Sequence, residues 1–173
     1  MKILIVEDED DLLETYKIVL EEKNHQVTVS QDGETCLQIY RDELEKLDSD
    51  PQLLPFDVIV IDYKIPKKDG LQVAKEILTL RPNQRIIFTS AYVKEIIEKA
   101  VQSLSGRQEL IENLQKPFEL SEFIDKIELK ELIHTLNKFG FGVSDSGKIS
   151  RNYIECKDLI NRLVALEKNY VYN

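Results

Sequence analysis

Val58-Ile59-Val60-Ile61-Asp62-Tyr63-Lys64-Ile65-Pro66 is the most apolar run of the chain, and it ends abruptly in an acid and a turn. Four consecutive β-branched residues are poor helix formers. A run this short with no polar alternation is expected of a strand buried on both faces of a parallel sheet. Working outward, similar runs recur at Lys2–Val6, Val27-Thr28-Val29 and Ile86-Ile87-Phe88-Thr89, with a weaker one somewhere in Leu110–Leu114. Segments of helical period separate them. These are Asp10–Glu22 with Leu13, Val19 and Leu20, Glu34–Arg41, and a helix opened by Gly70 that carries Leu71, Val73, Ala74, Ile77 and Leu78. Val93–Val101 follows, then a helical region from Pro117 with Phe123, Ile124 and Ile127 pointing inward. Five strand–helix alternations predict a doubly wound α/β domain around a five-stranded parallel sheet.

Two stretches exceed that minimal pattern. Asp42–Pro55, charged and bearing Pro51 and Pro55, reads as a solvated loop. The domain is expected to occupy residues 1–128, leaving 129–173 as a short C-terminal extension. It contains the Gly-rich piece Phe139-Gly140-Phe141-Gly142 and an amphipathic helix over Ile154–Lys168. The apolar stripe Ile160, Leu163, Val164 and Leu166 suits packing on the domain or a homodimer contact. The 173 residues are 42% hydrophobic and 32% charged, enough to bury a core. The formal charge of 23 − 32 = −9 argues against non-specific nucleic-acid binding. No apolar run approaches the roughly 20 residues of a membrane span, and a cytoplasmic protein without a membrane partner is expected. Cys36, Cys156, His25 and His134 have no metal-ligand spacing, and both cysteines read as small buried hydrophobes.

In doubly wound folds ligands bind beyond the carboxyl ends of the strands, where strand order reverses. Glu7 and Asp8 follow the first strand, Asp62 the third, Ser90 the fourth and Lys116 the fifth. With strand order 2-1-3-4-5, Asp8 and Asp62 meet at one edge beside Glu7. Three such carboxylates repel, and a cation is needed to hold them ionised. Their hard oxygens suit Mg2+, which takes one or two carboxylates together with phosphate oxygens. Lys116 and the Ser90 hydroxyl would flank the other side, holding a phosphoryl group while the Asp62 carboxylate attacks it. Thr89 competes with Ser90 for the hydroxyl role, since strand alternation lets only one face the site; the adjoining Ala91 favours Ser90.

These motifs resemble the receiver domain of a two-component response regulator of the chemotaxis-regulator type, over about Met1–Glu128. Val6-Glu7-Asp8-Glu9 is similar to the family's acidic pair. Ile61-Asp62-Tyr63-Lys64-Ile65-Pro66 with Asp69-Gly70 resembles its phosphoacceptor motif, Ser90-Ala91 its Thr/Ser-Ala pair, and Lys116-Pro117-Phe118 its Lys-Pro-Phe signature. The resemblance implies a flavodoxin-like fold and a stand-alone receiver with a short extension. It also implies phosphoryl transfer to Asp62 from a histidine kinase or phosphotransfer protein. Asp8 would coordinate Mg2+ directly, Glu7 through water and Lys64 by its backbone carbonyl. Ser90 would move toward the phosphoryl group, and Lys116 would contact its oxygen. The output would be protein–protein signalling, with no catalysis beyond the domain's own phosphorylation and dephosphorylation. Two features depart from the family. Asn113 stands where Tyr or Phe is usual, and the 116 − 90 = 26 residue interval from Ser90 to Lys116 is a few residues long.

Blander and rival readings sit beside this one. Acids after a first strand also favour a helix N-terminus, Ser90 alone could be a cap, and Lys116 alone a surface lysine. Lys64, Lys67 and Lys68 read as a solvated cluster that could also assist a phosphodonor or alter hydrolysis at Asp62. Gly142–Lys148 has P-loop spacing, but Ile149 replaces the required Ser or Thr and no buried strand precedes it, so a turn is the better reading. A DNA-binding regulator would use the tail, whose seven basic and five acidic residues give +2 but no evident recognition helix. A haloacid-dehalogenase-like phosphatase would need an Asp where Lys64 stands.

Overall fold

The computed structural model describes residues 1–47, 53–91 and 111–128. The chain forms two compact units, Met1–Phe123 and Ile124–Asn173. Of the second, only 124–128 are described. The expected helices Val93–Val101 and Ile154–Lys168, the Phe139–Gly142 piece, the Gly142–Lys148 stretch, Cys156 and His134 lie outside the described residues.

Elements alternate as β1 (Lys2–Val6), α1 (Asp10–Glu21), β2 (Gln26–Ser30), α2 (Gly33–Glu45), β3 (Val58–Asp62), α3 (Gly70–Leu80), β4 (Ile86–Ser90) and β5 (Ile111–Gln115). A further helix, α4, spans residues 120–128. The strands form one parallel sheet in the order β2-β1-β3-β4-β5, as expected. Every residue of β3 and β4 is buried, whereas β2 and β5, at the edges, are largely half-exposed. The strength of each strand signal in the sequence follows this depth. Central strands covered on both faces need unbroken apolar runs, while edge strands tolerate Thr28, Glu112 and Asn113.

On one face Leu4, Val6, Ile59, Ile61, Ile86 and Phe88 pack with Cys36, Leu37 and Tyr40 of α2 and Val73, Ala74 and Ile77 of α3. Each fully buried Leu, Ile or Phe side chain contributes about 1.5–3 kcal/mol. Cys36 is wholly buried, and burial pushes its thiol up to about 12, so it acts as a small hydrophobe. In α1 the buried residues are Leu13, Tyr16 and Leu20, with Val19 only half-buried. Tyr16 stacks on Phe123 with ring centroids 4.4 Å apart, a contact the sequence pattern did not announce. Phe123 and Ile127 are buried as expected, and Ile124 is half-buried.

The expected loop over Asp42–Pro55 is shorter than the sequence suggests. α2 runs on to Glu45, because Leu44 extends the stripe of Cys36, Leu37 and Tyr40 and packs against the core. Pro55 and Phe56 are buried ahead of β3 rather than solvated. α2 is capped by Asp32, whose carboxylate accepts the Thr35 N–H at 2.8 Å. α3 opens with a reciprocal capping box between Asp69 and Gln72.

Candidate functional site

Sheet register builds the site. Val6 pairs with Ile61, Ile61 with Phe88 and Phe88 with Asn113. One step further along the strands, Glu7, Asp62 and Thr89 stand side by side at the carboxyl ends. The strand order reverses between β2 and β3 around β1, so the crevice of a doubly wound sheet opens at Glu7, Asp8 and Asp62. One carboxylate oxygen from each of these three residues lies within 4.8 Å of the others. Glu7 is buried, Asp62 nearly so, and Asp8 is exposed at the rim.

Lys116 follows β5 at a cis Lys116–Pro117 bond, and its backbone N–H donates to the Ser90 carbonyl at 2.8 Å. Its ammonium donates to Asp62 Oδ2 at 2.5 Å and to Glu7 Oε2 at 2.7 Å. The lysine expected to flank the pocket thus bridges two of its carboxylates. Burial pulls the Lys116 ammonium down, but the hydrogen bonds to Asp62 and Glu7 outweigh it and hold its pKa well above the ordinary lysine range. Burial pushes the Glu7 carboxyl up, opposed by its hydrogen bond and attraction to Lys116. Even so, Glu7 Oε1 is buried without a hydrogen-bond partner. An orphaned carboxylate oxygen among hard oxygen donors fits a divalent cation such as Mg2+, which Glu7, Asp8 and Asp62 would hold.

Ser90 is the last residue of β4, and both it and Thr89 are buried. Alternation puts Ser90 on the face of Phe88 and Thr89 on the opposite one. Lys64 lies exposed in the turn after β3, where its backbone N–H donates to Asp62 Oδ1 at 2.9 Å. Both oxygens of Asp62 are therefore held, one by a backbone amide and one by an ammonium. Asn113 is half-buried, and its Oδ1 has no hydrogen-bond partner.

The sequence placed Gly70 in the motif after Asp62 and Lys67 in a solvated cluster, but did not reveal the contacts by which they fix the loop carrying Asp62. Gly70 N–H donates to the Tyr63 carbonyl at 3.0 Å, and a Cβ at Gly70 would meet the Asp62 carbonyl oxygen at 2.5 Å. Only glycine allows that approach. Gly33 likewise sits against the Lys68 carbonyl, 2.5 Å from where its Cβ would stand. Lys67, at φ 65°, places its ammonium 2.8 Å from Asp32 Oδ2. The glycine after Asp69 is a readable helix-start signal; the Asp32–Lys67 pair leaves no local pattern, because its members are 35 residues apart.

A family model described as the response regulator receiver domain matches residues 3–128. The chain belongs to the response regulator receiver domain family. Among curated relatives of this receiver, the transcriptional regulatory protein DltR of Streptococcus agalactiae is 29% identical over 131 residues, covering 75% of this chain and 51% of that protein. The response regulator receiver protein CpdR of Brucella abortus is 24% identical over 127 residues, covering 73% of this chain and 93% of its own. The chain spans about half the length of several of the curated relatives it matches, such as DltR. Among solved structures, the receiver domain of the Francisella response regulator 1452 aligns at TM-score 0.58 and 26% identity, over 74% of this chain and 93% of that one. A CheY-like receiver from Methanospirillum hungatei shares the fold at TM-score 0.60 and 20% identity, over 79% and 96%. The receiver is thus part of two-component signalling. No helix among its described residues is long and apolar enough to cross a membrane.

Proposed function

We propose that Asp62 is a phosphoacceptor that takes a phosphoryl group from the phosphohistidine of a histidine kinase or phosphotransfer protein. The observation that carries this reading is the Glu7–Asp62–Lys116 arrangement, in which a nearly buried carboxylate is held at both oxygens at the reversal point of the sheet. An Asp62 oxygen attacks phosphorus as the bond to the donor nitrogen breaks, and the imidazole leaves with the bonding pair and takes up a proton. The Lys116 ammonium offsets charge on a phosphoryl oxygen, and the Lys64 N–H and Ser90 hydroxyl donate to the others. A bound Mg2+ would supply further charge neutralisation at the transferring group. Glu7 and Asp8 would hold it together with Asp62 and the Lys64 carbonyl.

The chain then works as a cytoplasmic switch read by a protein partner, and catalyses nothing beyond its own phosphorylation and dephosphorylation. The receiver would extend to residue 128, with 129–173 as the extension. Borohydride reduction of the phosphorylated chain tests the assignment, because an aspartyl phosphate is reduced to homoserine while a free carboxylate is not. Homoserine at position 62 in the peptide map supports the reading; homoserine at Asp8 or at no position contradicts it.

A further inference from the structure

α1 ties the acidic edge of the site to the segment that carries Lys116. Its buried residues Leu13, Tyr16 and Leu20 recur at helical spacing, and Tyr16 lies about two turns beyond the N-cap Glu9. Helical side chains lean toward the N-terminus, so the Tyr16 phenol is carried back toward the carboxyl ends of the strands. Burial pushes that phenol up to about 12, and it stands in the field of Lys116, Glu7, Asp62 and Glu9. Its ring stacks on Phe123 of α4 at 4.4 Å and on Phe118 at 6.0 Å, and Phe118 stacks on Phe123 at 5.8 Å. Phe118 is two residues past Lys116. The Lys116 segment is thus pinned on one side by its backbone N–H on the Ser90 carbonyl, 2.8 Å away, and on the other by the Phe118 ring. Between the two pins its ammonium spans Glu7 and Asp62.

We propose that Tyr16 is a positioning residue for phosphoryl transfer and acts through Lys116. Its ring is the wall against which Phe118 rests, and that contact sets where the Lys116 ammonium stands between Glu7 and Asp62. The inference rests on the reading of Asp62 as phosphoacceptor and deepens it. A stacked ring suits the task because it fixes both the distance and the tilt of its neighbour. Leucine at position 16 would fill apolar volume without a flat face, leaving Phe118 and the backbone leading to Lys116 free to shift. A displacement of about 1 Å at a group that must meet the reacting centre costs up to about a hundredfold in rate. The same shift acts the other way on Mg2+. An ammonium and a divalent cation repel each other and share the Glu7 and Asp62 oxygens, so a loosened Lys116 leaves those carboxylates freer for the metal. Slower transfer with tighter metal binding is the signature of a misplaced Lys116, whereas a loosened fold weakens both.

The test uses the full chain as wild type, Tyr16→Phe and Tyr16→Leu. Intact mass follows the initial rate of adduct formation with acetyl phosphate at saturating Mg2+, and calorimetric titration without the donor reads Mg2+ affinity. Tyr16→Leu should take up the phosphoryl group roughly ten to a hundred times more slowly than wild type. It should also bind Mg2+ at least about twofold tighter. Tyr16→Phe, which keeps the ring, should match wild type in both. Phe118→Leu removes the half-buried ring from the loop side. It should behave as Tyr16→Leu does, and it takes that variant's place if Tyr16→Leu does not fold. Uptake by the leucine variants within about twofold of wild type overturns the proposal. Slow uptake with unchanged or weaker Mg2+ binding overturns it too, as does a Tyr16→Phe protein as slow as Tyr16→Leu. Failure of the Asp62 reading looks different: wild type then forms no adduct, or carries it on another residue, while tighter Mg2+ binding by Tyr16→Leu still reports a displaced Lys116.

Discussion

Lys116 decides the electrostatics of the site at the scale of single residues. Its ammonium lies within hydrogen-bonding distance of both Glu7 and Asp62, two carboxylates that would otherwise repel at the end of an apolar sheet. Lys116→Ala should therefore lower stability by about 2 kcal/mol, less than a fully buried pair would cost because the ammonium keeps some solvent contact. Magnesium should restore part of the loss, and raise the thermal midpoint of Lys116→Ala more than that of wild type. A variant equally stable with or without magnesium would show that the carboxylates need no cation. The sequence showed the chemistry of these residues without their partners. Glu7, Asp8, Asp62, Ser90 and Lys116 were each legible as strand-end residues, but that Lys116 bridges Glu7 and Asp62 depends on side-chain reach across the sheet. Tyr16 was missed for a related reason. An aromatic amid the polar residues of α1 reveals its role only once Phe123 is stacked on it.

At the scale of elements, the loop bearing Asp62 is clamped from two sides. Gly70 packs on the Asp62 backbone, so Gly70→Ala forces β3 and α3 apart. Overpacking of this kind costs about 2 kcal/mol, and the displacement of Asp62 should slow adduct formation as well. A Gly70→Ala protein with an unchanged melting midpoint would contradict the close approach. On the other side, Asp32 caps α2 and pairs with Lys67, and those hydrogen bonds pull its carboxyl down to about 2. A depressed acid adds stability above its unfolded value, near 3.8, and loses it as pH falls through its folded value. Asp32→Ala should cost about 1 kcal/mol at pH 7 by loss of the cap, and the gap to wild type should narrow between about pH 4 and pH 2. A pH-independent gap in urea unfolding would count against the Asp32–Lys67 pair. Central strands were legible because burial on both faces keeps them apolar until their carboxyl ends, where Asp62, Thr89 and Ser90 stand. The end of α2 was not, since Asp42, Glu43 and Glu45 hide the contribution of Leu44. β5 was placed only loosely, because an edge strand can carry Glu112 and Asn113.

The whole molecule is organised so that a parallel sheet brings residues far apart in sequence to one edge. Glu7 and Lys116 are 109 positions apart, yet the order β2-β1-β3-β4-β5 sets their side chains 2.7 Å from each other. That order was expected as the common arrangement of a doubly wound sheet and from the family resemblance, with each motif following its own strand; the family model matches residues 3–128. A pocket built by topology rather than by one local motif should act as a unit, with loss of any one member impairing the same reaction. The most direct measurement is intact mass after incubation with acetyl phosphate, with and without Mg2+, for wild type and Asp62→Asn. Wild type should gain the mass of one phosphoryl group only when Mg2+ is present, and Asp62→Asn should gain none. Equal adduct on both proteins, or none on wild type with Mg2+, would contradict phosphoryl transfer to Asp62.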